Sequence, residues 1–248
     1  MSSAHHTANV SPLQERRVEL LDRVDYRLAE TEQDRDAIYR LRYRAYLNEG
    51  AIEPNDSHKV TDKFDDLPNS WIFGVYYEGE LTSSIRISVA SAGHRQTPSM
   101  DVFPELLQPM LDQGQVVVDP TRFVAEPERA NRFVELPYLT LRLAYVACEY
   151  FRADVGLASV RAEHQAFYRR VFLNSISPPR NYPGLTKPIG LMAIDFPALR
   201  DKLFARYPFL RSTHLERRML FERRSSGGEP LPDLPDMSFR RPSIVPRS

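Results

Sequence analysis

The sequence predicts a layered α/β (α+β) domain in which helices flank one mixed central sheet. Of 248 residues, 42% are hydrophobic and 10% aromatic, which suffices for one full-sized core and falls short of two large domains. Strand-like and helix-like periods alternate along the chain, the pattern of helices packed on a sheet. A glycine turn at Glu78-Gly79-Glu80 separates the β-rich runs WIFGVYY and LTSSIRISVA, as in a hairpin. The domain is expected over residues 15–224, with loosely ordered ends at 1–14 and 225–248, which are polar or rich in Pro, Ser and Gly.

In order, Tyr26 to Ala29 reads as an edge strand. Thr31, with Asp34 three positions on, reads as a helix cap. The helix should run to Asn48, with Ile38, Leu41, Ala45 and Tyr46 on its apolar stripe and Arg42 between Ile38 and Tyr46. In the second hairpin strand Leu81, Ser83, Ile85, Ile87 and Val89 should share one face, and Ser84, Arg86 and Ser88 the other. A short helix from Phe103 to Leu111 should close at Gly114. Gln115 to Asp119 reads as a buried strand that Pro120 ends or bulges. Leu136 to Arg152 has helical spacing, with Gly156 as its stop. Next come a strand at 157–162, a helix containing Ala166, Tyr168 and Val171, a strand in GLMAIDF and a helix led by Pro197. His214 to Arg224 reads as a solvated amphipathic helix.

Thirty-three basic and thirty-three acidic residues cancel, so no global field draws the chain to nucleic acid or to an anionic membrane. Cys148 lies in an apolar run and reads as a small buried hydrophobe. The six histidines are scattered and none has metal-ligand spacing, so no metal is expected. With no signal-like stretch and no run of about 18 apolar residues, a cytoplasmic protein without integral membrane contact is expected.

The chemistry-bearing residues are Arg42 and Tyr46 on the first helix, the run Asp62-Lys63-Phe64-Asp65, Ser83-Ser84-Ile85-Arg86 on the hairpin, and Asp119-Pro120-Thr121-Arg122-Phe123 downstream. Arg86 and Asp119 fall on covered strands, where an unpaired charge costs several kcal/mol, so opposite charges should gather there; the bland alternative is a set of edge salt bridges. In order and spacing these four groups resemble the autoinducer (acyl-homoserine-lactone) synthases and long-chain N-acyl amino acid synthases, from about Tyr26 to Ile194. Asp119 stands where that pattern has Glu, and Ser83 where it has Gly. The aromatic that homoserine-lactone makers carry between Tyr46 and Asp62 is absent from LNEGAIEPNDSHKVT.

The resemblance implies a GNAT-like N-acyltransferase: an amine attacks an acyl thioester, giving an amide. Asp119 is the expected general base, with Arg122 orienting it or binding the acceptor's carboxylate. Asp62, Asp65 and Arg86 would form the wall of the acceptor site, Arg42 and Tyr46 would close it, and Phe64 and Phe123 would line it. Coenzyme A enzymes of this type cradle pyrophosphate at a Gly-rich helix N-terminus, yet residues 124–137 contain no glycine. Arg129 and Arg132 there could meet the phosphodiester and acidic body of acyl carrier protein. The expected donor is therefore an acyl-phosphopantetheine thioester on acyl carrier protein rather than acyl-CoA, with no permanently bound cofactor. Leu139 and Leu143 could line a tunnel for a medium or long acyl chain. The acceptor would be the α-amine of an amino acid or a related amine. Alternatives are an acyl-homoserine-lactone synthase, a coenzyme A dependent N-acetyltransferase and a GNAT-shaped sensor without activity.

Overall fold

The computed structural model describes residues 19–130 and 133–223; the expected terminal tails, and Arg132, lie outside them. Among the described residues seven strands form one sheet in the order β1-β2-β3-β4-β5-β7-β6. They are β1 (Val24–Leu28), β2 (Ser70–Tyr77), β3 (Glu80–Ala90), β4 (Val117–Ala125), β5 (Val155–Val160), β6 (Asn174–Arg180) and β7 (Ile189–Asp195). All neighbours run antiparallel except β4 and β5, which pair in parallel at only two positions, Val117 with Val155 and Val118 with Gly156. Beyond Val118 the two strands part, and that gap positions the site.

The helices form two layers. On one face lie α1 (Glu32–Asn48), α2 (Pro98–Val102) and α3 (Pro104–Asp112); α4 (Pro127–Ala130) is a single turn after β4. On the other lie α5 (Leu136–Tyr150), α6 (Gln165–Arg170), α7 (Phe196–Arg206) and α8 (His214–Phe221). Because alternate residues of a strand point to opposite faces, Phe73, Val75, Ile85 and Ile87 meet α5 and α8 in the main core, while Ile72 packs with Ile38 of α1.

Thr31 caps α1 as the sequence requires: its side chain accepts the Asp34 N–H, and the Asp34 carboxylate accepts from Thr31. The hairpin forms, but its register shifts between Val75 and Tyr76, where Thr82 is the extra residue. This bulge carries Leu81 to the α1 face, against Ile38, Leu41 and Val124, so it does not share a face with Ser83 and Ile85. Pro120 does not end β4. It lies two residues beyond the last β5 pair, where the strand has one neighbour and a missing N–H is tolerated. The bulge comes further on: Arg122 and Phe123 lie in a register shift opposite Ile85, with Arg122 at φ 54.

α5 ends at Tyr150 and Arg152, at φ 51, takes the left-handed position after it. Gly156 is therefore a strand residue, not a stop. An added Cβ would meet Ile194 Cγ2 at 3.0 Å and Cys148 Sγ at 3.3 Å, so glycine lets α5 close on the sheet. β6 had no forecast, because Pro178 and Pro179 argue against a strand; it pairs only with β7 at the sheet edge, the place that admits proline. Phe221 of α8 is buried against Trp71, Phe73 and Phe151, while Leu215 and Met219 are exposed, so the helix is solvated along most of its length, as expected, and anchored to the core at its C-terminal end.

Candidate active site

Where β4 and β5 part, a cleft of about 430 Å³ passes through the sheet. On the α1 side its walls are Tyr46, Ala51, Tyr182 and Leu185. On the α5 side they are Pro137, Leu141, Phe167 and Tyr168, and between them run Pro120 to Ala125 and Leu157 to Arg161.

A charged cluster backs the α1 side. Arg42 and Arg86 are 0% exposed and Asp65 2%. Asp65 accepts from Arg42 Nη1 at 2.9 Å to each oxygen, and from Arg86 Nη1 at 2.9 Å. Asp62 accepts from Arg86 Nη1 at 2.5 Å and Nη2 at 3.2 Å, and from Arg122 Nη2 at 2.7 Å and Nε at 3.1 Å. Three guanidiniums thus share two carboxylates. The turn that holds both aspartates is closed locally: Asp62 accepts the Phe64 N–H at 2.9 Å, and Asp65 accepts the Asp62 N–H at 3.1 Å. Burial opposes ionisation of Asp62, but Arg86 and Arg122 hold its carboxyl well below the usual range. Burial also weakens the proton affinity of Arg42, which Asp65 partly restores.

The αL backbone of Arg122 turns its side chain from the strand towards Asp62 and the cleft. Its Cζ lies 5.6 Å from the Tyr46 ring centroid, and Arg86 Cζ lies 5.6 Å from that of Phe64. Arg42, Tyr46, Asp62, Phe64, Asp65, Arg86 and Arg122 therefore come together as one unit.

Asp119 stands apart from it. Fully buried, it accepts the Ser99 N–H at 2.9 Å and the Ser99 Oγ–H at 2.7 Å, at the start of α2. Arg122 is committed to Asp62 and not to Asp119. Burial raises the proton affinity of Asp119 against these hydrogen bonds and the Arg86 charge. Ser99 Oγ is in turn 2.8 Å from Ser159 Oγ, and Ser159 lines the cleft. A chain of two hydroxyls thus links the buried carboxylate to the cleft.

The remaining residues are placed as follows. Phe123 lines the cleft, whereas Leu139 and Leu143 are fully buried in the core; the cleft-facing residues of α5 are Pro137 and Leu141. Arg129 forms an ion pair with Glu80 at the hairpin turn. Sequence reasoning did not find Ser99, Ser159 or Tyr182. The serines have no motif around them, and Tyr182 lies in the unpatterned loop between β6 and β7. Burial and the Asp119 and Asp62 carboxylates keep the Tyr182 phenol protonated, against the pull of Arg122 and Arg86. Among the described residues no group of three or more His, Cys, Asp or Glu could hold a metal, and no helix is long and apolar enough to cross a membrane.

A family model described as N-acyl amino acid synthase FeeM matches residues 37–195. No curated protein sequence matches significantly. Among solved structures, FeeM itself, an N-acyl amino acid synthase from uncultured soil microbes, superimposes with a TM-score of 0.61 at 18% identity, over 74% of this chain and 97% of that one. The acyl-homoserine-lactone synthase LasI gives 0.52 at 14% identity, over 68% and 89%. BjaI, described as a CoA-dependent acyl-homoserine lactone synthase, gives 0.51 at 14%, over 75% and 89%. At such identities the superpositions show a shared fold.

Proposed function

Since the chain belongs to the N-acyl amino acid synthase family of FeeM, and is thus an acyltransferase, we propose that it moves a medium or long acyl group from acyl carrier protein to the α-amine of an amino acid or related amine, in the cytoplasm. The observation that carries this reading is the cleft through the sheet, with a charged wall on one side and an apolar one on the other.

The thioester enters from the apolar α5 side. The N-terminus of α5 offers little to a pyrophosphate: the Leu136 N–H is used by Phe133 O, Pro137 has none, and the Tyr138 and Leu139 N–H groups go to Glu135 O. This favours the single phosphodiester of a carrier-protein arm over coenzyme A.

The acceptor enters from the α1 side, where three guanidiniums against two carboxylates leave a positive surplus. Arg122, the member at the cleft wall, can receive the acceptor's carboxylate. Asp62 is too acidic to take the ammonium proton. Asp119, whose proton affinity is raised, is suited to it and receives the proton through Ser159 and Ser99. The neutral amine then attacks the thioester carbon, the C–S bond breaks, and the sulfur takes up a proton as the amide nitrogen gives one up. The phenols of Tyr168 and Tyr182, both held protonated by burial, can donate hydrogen bonds to that sulfur while the proton passes to it from the amide nitrogen.

The test is to incubate the purified protein with acyl carrier protein thioesters and a panel of amino acids, and to look for the amides by mass spectrometry beside an Asp119→Ala, Arg122→Ala double variant. Amides formed only by the wild type support the reading. No amide from any acceptor, with the thioester intact, refutes it.

A further inference from the structure

Four exposed cations gather beside the donor lip of the cleft. α6 gives Phe167 and Tyr168 to the cleft wall and ends with Arg169 and Arg170, both exposed. They are thus within about one helical turn, roughly 5 Å along the axis, of the lip. Phe172 follows at φ 70, and its half-buried ring lies 5.4 Å from Lys202 Nζ and 5.7 Å from Arg206 Cζ. Lys202 and Arg206 are one turn apart on α7 and so share a face. The Tyr207 hydroxyl donates to the Arg170 carbonyl at 2.9 Å, which fixes the end of α7 against the end of α6.

The acids near Arg169, Arg170 and Lys202 are engaged elsewhere. Glu163 and Asp201 pair with Arg161 and Arg200, and among the described residues Arg169, Arg170 and Lys202 make no ion pair. Several arginines elsewhere on the surface are matched, as Arg44 is by Glu126 and Arg218 by Glu222. In a chain of zero net charge, the unmatched cations Arg169, Arg170 and Lys202 at the mouth of the cleft, with Arg206 beside them, are a local feature that an acidic partner would read.

We propose that Arg169, Arg170, Lys202 and Arg206, centred on Phe172, form the docking surface for the acidic carrier protein that presents the acyl thioester. The proposal rests on the carrier protein being the donor. A lipid surface fits less well, because membrane-inserting faces combine basic residues with exposed large apolar side chains, and this patch offers one half-buried ring. Docking here sets a carrier beside the opening its arm must enter, and charge pairing of this kind acts mainly on encounter.

The experiment compares the wild type with an Arg170→Glu, Lys202→Glu, Arg206→Glu variant, using the same acyl group on acyl carrier protein and on free pantetheine. The expected result is a rise of at least tenfold in KM for the carrier-protein donor, with unchanged kinetics on the pantetheine donor and an unchanged melting temperature. The wild type alone should lose carrier-protein activity as salt is raised. If the wild type rejects the carrier protein and uses acyl-CoA, the donor reading falls and the docking surface with it. If the wild type uses the carrier protein and the variant's KM is within twofold of it, only the docking surface is overturned. Loss of binding to phosphatidylglycerol vesicles, with carrier kinetics intact, likewise overturns it in favour of a lipid surface.

Discussion

Neutralising Asp65 should destabilise the protein more than removing Arg42, although the two residues face each other across one ion pair. Asp65→Asn leaves two fully buried guanidiniums, Arg42 and Arg86, without the carboxylate they share. Breaking a buried pair in this way costs about 3–5 kcal/mol. Arg42→Met is different. Asp65 keeps Arg86 Nη1 at 2.9 Å and the Asp62 N–H at 3.1 Å, and a side chain whose buried Nε and Nη2 have no partner is replaced by an apolar one of similar length. Its cost should be that of a weakened hydrogen-bond set, about 1–3 kcal/mol. For a domain of this size about 2–4 °C accompanies each kcal/mol. Asp65→Asn should therefore lower the melting temperature by about 6–20 °C and Arg42→Met by about 2–12 °C. The double variant should lose less than the sum, because the contact is counted twice. Differential scanning calorimetry at neutral pH measures all four proteins. An Arg42→Met loss as large as that of Asp65→Asn, or strict additivity, would refute the argument that Asp65 is the hub.

Asp62 titrates below the usual carboxylate range in the folded state, so its ion pairs contribute stability that is present above its ordinary value near 3.8 and lost as pH falls through the lower folded value. An acid unfolding series should therefore show wild type and Asp62→Asn converging below pH 4, with the wild type more stable above it; parallel curves would contradict the assignment. Ser159→Ala should cut kcat by about tenfold to a hundredfold with little change in KM for the amine, since it interrupts proton transfer and not binding; unchanged kcat would mean that Asp119 is not reached this way. Gly156→Ala should cost about 1–3 kcal/mol by urea unfolding, because the new methyl would lie 3.0 Å from Ile194 Cγ2 and 3.3 Å from Cys148 Sγ. A neutral result would show that α5 can slide on the sheet.

What the sequence disclosed was whatever repeats a local physical rule. The capping box at Thr31 and the hairpin around Gly79 each satisfy a rule within a few residues, and each is found in place; the run Asp62 to Asp65 stood out through the family resemblance. Clustering of Arg42, Arg86 and Arg122 with the two aspartates follows from the cost of burying charge, which needs no knowledge of topology. Three features escaped for a common reason. The bulges near Thr82 and Arg122 change which face a side chain takes, β6 is permitted by its place at the sheet edge, and Asp119 turns to Ser99 because α2 crosses over it. None of these is encoded in a window of neighbouring residues. The cleft-facing stripe of α5 was off by about half a turn, Leu141 in place of Leu139 and Leu143, since a helix apolar nearly all round does not show which side meets a gap.

A cleft that runs through the sheet also governs traffic. On the proposed reading donor and acceptor would come from opposite faces, so neither would block the other's entrance, and the two could load in either order to form a ternary complex without a modified enzyme between them. Their product would then be threaded through the sheet, its head among the arginines and its new amide between β4 and β5. To leave, it would have to be drawn whole through one opening. For bulky head groups that withdrawal, rather than bond formation, would become the slow step.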